Sequence, residues 1–292
     1  MKQLLTLMAL VILCNSSNAQ SDSVQVKKQT DTIRVGNMVI VKNGSESTSE
    51  KKRNVNFDFD FERKKRSKPA NISTNWGIID IGFANYRDLT NYASTGSYLY
   101  NRPGAAPLGK SDFTLRTGKS VNVNIWFFMQ RLNLIKHHVN LKYGLGLDLN
   151  NYRYKSAISY LEANPFTPNL TPAPVIIRDS ISFSKNKLAA DYVTVPLMLN
   201  FCTTPGDNNR GVSLSVGVSA GYLYSQRNKQ KSNERGKRTN KGDYDLEPFK
   251  FSYIAELGLG PVHLYGSYAP NNMYKRGLDM RPYTVGLRFS NW

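Results

Sequence analysis

FKFSYIAELGLG (249–260), PVHLYGSYAP (261–270) and DMRPYTVGLRFSNW (279–292) close the chain, and these stretches decide its fold. In the first, aromatic and aliphatic residues hold the odd positions from Phe249 to Leu259, while most even positions are polar or small. The last stretch repeats this pattern. Alternation with a period of two places one set of side chains on each face of a sheet. The sequence therefore predicts three closing strands whose apolar face packs on a core or faces lipid.

Five further alternating stretches precede them, at about 76–86, 120–130, 138–154, 189–201 and 211–227. No amphipathic helix of useful length lies between the strands to cover their apolar faces. The connections alternate between long and short, which is typical of outer-membrane barrels with long extracellular loops and short periplasmic turns. The sequence thus predicts an all-β fold, an eight-stranded antiparallel transmembrane β-barrel whose two chain ends lie in the periplasm.

Three local features of the strands carry their own predictions. The apolar set of the second strand extends from Val121 to Met129 and is expected to face lipid. The alternation in the third strand changes phase at Asn150–Asn151, which predicts a β-bulge. Pro196 has no N–H to donate, so the pairing around it should be irregular.

The beginning of the chain predicts export. Residues 1–19 combine Lys2, an apolar stretch and Ala19 at the cleavage position, the pattern of a secretory signal peptide. Residues 20–70 are polar, and we expect a largely disordered periplasmic segment, with a possible hairpin around Gly36–Asn37. Residues 71–292 form the predicted barrel.

The formal net charge of +18 and a pI near 9.8 favour anionic partners, namely nucleic acid, anionic lipid or lipopolysaccharide phosphate. Export argues against nucleic acid. The connection 228–247 concentrates basic residues: Lys229, Lys231, Arg235, Lys237, Arg238 and Lys241. One interpretation is a solvated mobile loop. The other is a surface that contacts lipopolysaccharide phosphates or an acidic partner through charge-assisted hydrogen bonds.

Six ionisable residues fall on the predicted inner face of the barrel: Asp80, Lys142, Asp148, Lys250, Glu256 and Arg288. The interior of an eight-stranded barrel is just wide enough for side chains to fill it. Because an unpaired buried charge is costly, these residues should pair into a structural network. We therefore predict a plugged lumen rather than a conduction path.

Several segments resemble the PorT-like outer-membrane β-barrel family of Bacteroidetes. The resemblance rests on the export signal, YVTVPLMLNF (192–201), GVSLSVGVSAGYLY (211–224) and GLRFSNW (286–292), and it covers about the last 220 residues. It implies a barrel placed in the outer membrane by the barrel-assembly machinery. Some relatives take part in protein secretion and gliding. The terminal aromatics Phe289 and Trp292 resemble the signal which that machinery reads.

The sequence lacks the residue constellations that enzymes need. It contains no HExxH, CxxC or GxSxG pattern, and the glycine-rich strand segments precede no helix that could bind phosphate. His137 and His138 lie in a predicted turn, apart from His263, which is expected to face the lumen. The interpretation is a non-enzymatic barrel without cofactor or metal, with a structural, surface-binding or assembly-partner role. The alternative is a secretion or transport component that engages a periplasmic partner. A third hypothesis is a secreted nucleic-acid-binding β protein.

Overall fold

The computed structural model describes residues 32–35, 38–41, 70–164, 173–205, 211–260 and 262–290. The chain divides into two units, residues 1–64 and 65–292. In the first unit, β1 (Thr32–Val35) and β2 (Met38–Val41) form an antiparallel pair, as the hairpin prediction requires. The predicted signal peptide and most of segment 20–70 lie outside the described residues.

Within the described part of the second unit, eight strands form a closed antiparallel barrel. They are β3 (Ile72–Asp88), β5 (Val121–Ile135), β6 (Val139–Arg153), β9 (Lys185–Cys202), β10 (Val212–Ser232), β12 (Phe249–Leu259), β13 (Val262–Tyr268) and β14 (Met280–Phe289). Each pairs with the next in this order, and the last pairs with the first, which completes the ring. The predicted fold is confirmed.

The connections sort to two ends of this barrel. The turn end holds the short connections after β5, β9 and β12, together with the start of β3 and the end of β14. The loop end holds the four longer connections, 89–120, 154–184, 233–248 and 269–279. The first of these contains short 3-10 turns at Tyr92–Ser94, Gly96–Tyr98, Lys110–Phe113 and Thr117–Lys119.

The outer face of the barrel carries an apolar belt. In β14, the outward residues Tyr283, Val285, Leu287 and Phe289 are all exposed, which agrees with the lipid-facing set that the alternation predicts. The belt continues around the ring through Ile79, Ile81, Phe83, Phe127, Val193, Val195, Leu197, Leu199, Phe201, Val212, Leu214, Val216, Val218, Phe249, Phe251, Tyr253, Val262 and Leu264. Such a band is how a transmembrane barrel meets hydrocarbon.

Two predictions about strand phase are wrong. Met129 is fully buried and faces inward, because a bulge in β5 between Trp126 and Phe128 reverses the alternation there. The predicted bulge at Asn150–Asn151 is absent from β6, whose described pairing runs unbroken through these residues. Tyr152 instead stays on the inner face, since the interior at this end of the barrel is aromatic. The ladder between β6 and β9 does skip the positions around Pro196, in line with the irregular pairing expected there.

The loop end is closed by a folded cap rather than by open loops. The first and second long connections contribute β4 (Leu99–Tyr100), β7 (Ile158–Leu161) and β8 (Val175–Arg178), which form a small sheet in the order β4-β8-β7. Arg178 ties this sheet to the first connection through two hydrogen bonds to Asp112, of 3.1 and 2.6 Å. The cap thus joins segments that are distant in sequence.

The connection 228–247, for which the sequence predicts a long loop, is mostly strand. β10 continues to Ser232 and pairs with β11 (Gly236–Lys241). We call the paired segments Arg227–Ser232 and Gly236–Lys241 the arm. Strand formation is possible because β9 also extends to Lys185 and hydrogen-bonds the other side of β10. The sequence does not predict these strands, because their charged residues lack the apolar alternation by which strands are recognised. In the described residues, no helix is long and apolar enough to span a membrane.

Candidate functional site

The lumen contains a buried network of opposite charges centred on Arg288. Its guanidinium donates to both oxygens of Asp80, at 2.7 and 2.8 Å, and to Glu256 Oε2 at 2.5 Å. Lys142 Nζ donates to both oxygens of Glu256, at 2.9 and 2.8 Å. All four side chains are nearly inaccessible to solvent. Such bidentate pairing compensates for the loss of hydration that each charge suffers on burial.

Neutral side chains complete the hydrogen bonding of these carboxylates. Trp126 Nε1 and Asn124 Nδ2 donate to Asp80 Oδ2, at 2.8 and 3.1 Å. His263 Nδ1 lies 3.2 Å from Glu256 Oε1. The guanidinium of Arg288 also stacks over the Trp126 ring, 5.5 Å from its centroid. The strands that supply Asp80, Asn124, Trp126, Lys142, Glu256 and Arg288 point even-numbered residues inward here, whereas β13 points His263 and Tyr265 inward.

A second ion pair lies nearer the loop end. Lys250 Nζ donates to Asp148 Oδ2 at 2.8 Å, and Asn122 and Asn150 donate to Asp148 Oδ1 at 2.7 and 2.8 Å. Asn122 also donates to Asn124 Oδ1 at 3.3 Å, and Asn124 in turn donates to Asp80, so these two amides link the two ion-pair groups. A cavity of about 40 Å³ remains between them, lined in part by Asn124, Asp148, Thr194, Ser252 and Arg288. Its volume suits a water molecule or two rather than a solute path.

Above the second pair, a tyrosine cluster fills the barrel mouth. Tyr160 Oη hydrogen-bonds Tyr154 Oη at 2.6 Å and Tyr274 Oη at 2.8 Å. Tyr98 donates to the backbone oxygen of Tyr244 at 2.6 Å. Burial raises the pKa of Tyr274 and of Tyr244 to about 12, so these phenols stay neutral at physiological pH. The cluster packs with apolar residues of the cap into the main hydrophobic core.

The outer wall at the loop end carries a basic ladder across four strands. Cross-strand pairing sets Lys187 opposite both Arg153 and Lys229. It also sets Lys231 opposite both Lys185 and Lys237. The basic ladder comprises Arg153, Lys185, Lys187, Arg227, Lys229, Lys231, Lys237 and Lys241. Like charges directly opposite one another in a sheet are destabilising, so this arrangement favours an anionic ligand that neutralises them.

Electrostatics within the basic ladder fit this interpretation. Partial burial, together with Lys185 and Lys229 nearby, lowers the pKa of Lys187 to about 8. Its amine donates to Asn151 Oδ1 at 2.5 Å, a neutral acceptor. Nearer the apolar belt than Lys187, Asp191 forms an ion pair with Arg227. Lys187 is therefore a partly buried cation surrounded mainly by other cations.

Comparison with known proteins identifies the family. The family described as outer membrane protein beta-barrel domain matches residues 90–271, which is more than half of the chain. The chain belongs to this outer-membrane β-barrel family. Membership agrees with the closed ring and the apolar belt, and it makes this an outer-membrane protein.

Solved structures similar to this outer-membrane barrel include the attachment invasion locus protein Ail of Yersinia pestis. One Ail structure is 12% identical, with a TM-score of 0.27, over 74% of this chain and 99% of Ail. A second, of Ail with the heparin analogue sucrose octasulfate, is 13% identical, with a TM-score of 0.26, over 73% and 99% of the two chains. No curated protein matches the chain.

The six lumenal residues proposed from the sequence lie together inside the barrel. Asp80, Lys142, Glu256 and Arg288 form one network, and Asp148 with Lys250 forms the pair beside it. Their even-numbered positions placed them on one face, but no sequence pattern shows which acid meets which base. His263 also faces the lumen, as expected.

The six basic residues proposed from the connection 228–247 divide between two settings. Lys229, Lys231, Lys237 and Lys241 belong to the basic ladder. Arg235 donates to Asp179 at 3.1 Å, and Arg238 pairs with Gln230 on the opposite face of the arm. Of the terminal aromatics, Phe289 ends β14 and is exposed, while Trp292 lies outside the described residues.

Sequence reasoning missed Arg153, Lys185, Lys187 and Arg227, and also the tyrosine cluster. A signal for the first group existed: Lys185 and Lys187, like Arg227 and Lys229, are spaced by two residues. Extending the strand alternation beyond the apolar residues would have found them. Tyr152 and Tyr154 also alternate at the end of β6, where the sequence pattern predicts a change of phase.

Proposed function

We propose that this outer-membrane barrel is a non-enzymatic surface-binding protein with a closed lumen and its loop end at the cell surface. One observation carries the proposal: the lumen is filled by paired charges and tyrosines, while the exposed arm and the basic ladder concentrate positive charge outside. Because the interior is filled, the outer surface of the loop end is the part of the molecule that binds the ligand. Its ligand class is anionic, either lipopolysaccharide phosphates or an acidic partner.

The topology supports an orientation with both chain ends in the periplasm. Long connections share one end with the cap, and the start of β3 and the end of β14 share the other. Outer-membrane barrels generally keep short turns in the periplasm. The exposed Phe289 at the end of β14 suits recognition by the barrel-assembly machinery. The segments 192–201, 211–224 and 286–292 support a PorT-like member from Bacteroidetes.

The orientation can be tested by labelling single cysteines in intact cells. In a Cys202→Ser background, Thr239→Cys places a thiol on the arm, and Thr204→Cys places one in a turn-end connection. A membrane-impermeant maleimide should label Thr239→Cys and leave Thr204→Cys unlabelled until the cells are lysed. The reverse result would refute the proposed orientation.

The closed lumen can be tested by planar-bilayer recording of the purified protein. We expect no steady single-channel conductance, because the ion pairs and the cap block the path in series. A large stable conductance would contradict a surface-binding role and favour transport. The alternative role in secretion depends on segment 20–70, most of which lies outside the described residues, so it stays a prediction.

A further inference from the structure

We propose that the basic ladder binds the phosphate groups of a phosphorylated saccharide headgroup, the chemistry of lipopolysaccharide, beside the barrel wall. The inference rests on the proposed function and names its ligand. It adds Arg153, Lys185 and Lys187, which lie on β6 and β9, to the basic residues of the arm. Together they form a continuous cationic face rather than a mobile loop.

The cross-strand register gives this face the spacing of a polyanion site. Directly opposite residues of an antiparallel pair have Cβ atoms about 5 Å apart. Arg153, Lys187 and Lys229 therefore form one row across β6, β9 and β10, and Lys185, Lys231 and Lys237 form the next row across β9, β10 and β11. A phosphate seated between two such side chains would accept hydrogen bonds from both. Separate phosphates on one headgroup could occupy both rows.

The protein supplies little opposite charge for these rows. Asp191, which faces the same side of β9, is bound to Arg227. Lys187 donates to the neutral Asn151, and Arg153 donates to the backbone oxygen of Ser184 at 2.8 Å. Partial burial and the neighbouring cations also lower the pKa of Lys187. A bound phosphate would relieve the repulsion and raise that pKa again.

The height of the basic ladder above the apolar belt selects the kind of ligand. Val193 is the last exposed apolar residue on β9, and Ala189, Lys187 and Lys185 follow it four, six and eight residues away toward the loop end. At about 3.3 Å per residue and a tilt of about 40°, the level of Ala189, where Arg227 and Lys241 pair, lies about 10 Å beyond Val193, and the two rows lie about 15 and 20 Å beyond it. That is the level of a sugar headgroup, whereas the phosphate of an ordinary phospholipid lies near the hydrocarbon boundary.

The test measures lipid binding to purified protein in detergent micelles by native mass spectrometry. The probes are rough lipopolysaccharide with its core phosphates, the same lipopolysaccharide after chemical dephosphorylation, and phosphatidylglycerol. The wild-type chain should bind the first probe best, and its affinity should fall with added salt. Lys185→Gln/Lys187→Gln/Lys229→Gln should weaken this binding by about a hundredfold, since each basic residue near a membrane surface contributes roughly fivefold.

A matched variant controls for charge alone. Arg87→Gln/Lys110→Gln/Arg281→Gln removes three solvent-accessible charges from the same end of the barrel, two of them on β3 and β14, which do not pair with the strands of the basic ladder, and it should bind like the wild type. Retained heat-modifiable migration on gels would show that both variants fold. Equal binding by the ladder variant, equal loss in the control, or equal binding of the dephosphorylated probe or of phosphatidylglycerol would each overturn the inference. Because micelles carry no orientation, these outcomes are independent of the labelling experiment on cells.

Discussion

At the scale of single residues, the interior depends on a few charged groups that satisfy one another. Glu256 accepts hydrogen bonds from both Lys142 and Arg288, and it lies against His263. Removing one member of such a set leaves its partners buried without a counter-charge. The basic ladder shows the opposite situation, because like charges lie directly opposite one another there and partners of opposite charge are scarce.

The substitution Glu256→Gln should strongly destabilise the barrel. It removes the carboxylate that Lys142 and Arg288 share, and breaking a buried pair in this way costs roughly 3–5 kcal/mol. Urea unfolding in micelles measures the change in the free energy of unfolding. The control Asp279→Asn removes a half-exposed partner of Arg281 and should cost under about 1 kcal/mol. Equal effects of the two substitutions would show that the lumenal network contributes no special stability.

Lys187 should react with an amine-acylating reagent ahead of ordinary lysines at pH 8. A pKa of about 8, against the usual 10.5, leaves about half of its amine neutral at that pH. Between pH 8 and 10.5 the folded chain thus binds fewer protons at Lys187 than the unfolded chain, so rising pH removes a destabilising charge. Peptide mapping by mass spectrometry gives the relative rates. Bound lipopolysaccharide should slow the labelling, and labelling at the pace of Lys110 in the free protein would count against the lowered pKa.

At the scale of elements, β3 and β14 close the ring at a pair of glycines. Gly82 lies opposite Gly286, and the ring of Tyr265 from β13 covers both. A Cβ on Gly286 would lie 2.4 Å from Gly82 Cα and 2.7 Å from the Tyr265 ring. Because Gly82 and Gly286 lack side chains, the Tyr265 ring packs directly against the backbone where β3 and β14 meet.

We expect Gly286→Ala to weaken this closure by about 1–3 kcal/mol, the usual cost of overpacking. The added methyl group must displace Tyr265 and disturb its hydrogen bond to Asn122. Gly266→Ala is the matched control, because the nearest atom to its added Cβ is 3.6 Å away. The temperature at which the compact gel form is lost should fall for the first variant and stay near the wild-type value for the second. A shift of the same size in both would refute the packing argument.

At the scale of the whole molecule, the barrel interior has two blocks in series. The charge network occupies the half toward the turn end, and the tyrosine cluster with the cap occupies the loop end. β3, β6 and β14 contribute residues to both blocks, but the hydrogen bonds of the charge network and those of the tyrosine cluster join different side chains. The outer wall then divides by height into an apolar belt and the basic ladder.

Removing either block alone should leave the barrel non-conducting. Asp80→Ala/Lys142→Ala/Glu256→Ala/Arg288→Ala empties the network without leaving an unpaired carboxylate, and Tyr154→Ala/Tyr160→Ala/Tyr274→Ala opens the cluster. Planar-bilayer recordings should find conductance in the combined variant, provided that heat-modifiable migration shows it to be folded. Conductance in either variant that lacks a single block would mean that the remaining block does not seal the lumen, contrary to this arrangement.

The amino-acid sequence alone determined the barrel, because period-two alternation and the sorting of connections are local properties of the chain. It also assigned Asp80, Lys142, Asp148, Lys250, Glu256 and Arg288 to the inner face. The tertiary structure decided which of these groups pair, since strand register brings Arg288 to Asp80 across 208 positions. It also decided the cap, the arm and the basic ladder. The cap strands are very short and the strands of the arm are strongly charged, and both adopt ordered structure because neighbouring segments satisfy their hydrogen bonds, an effect that no single stretch of sequence contains.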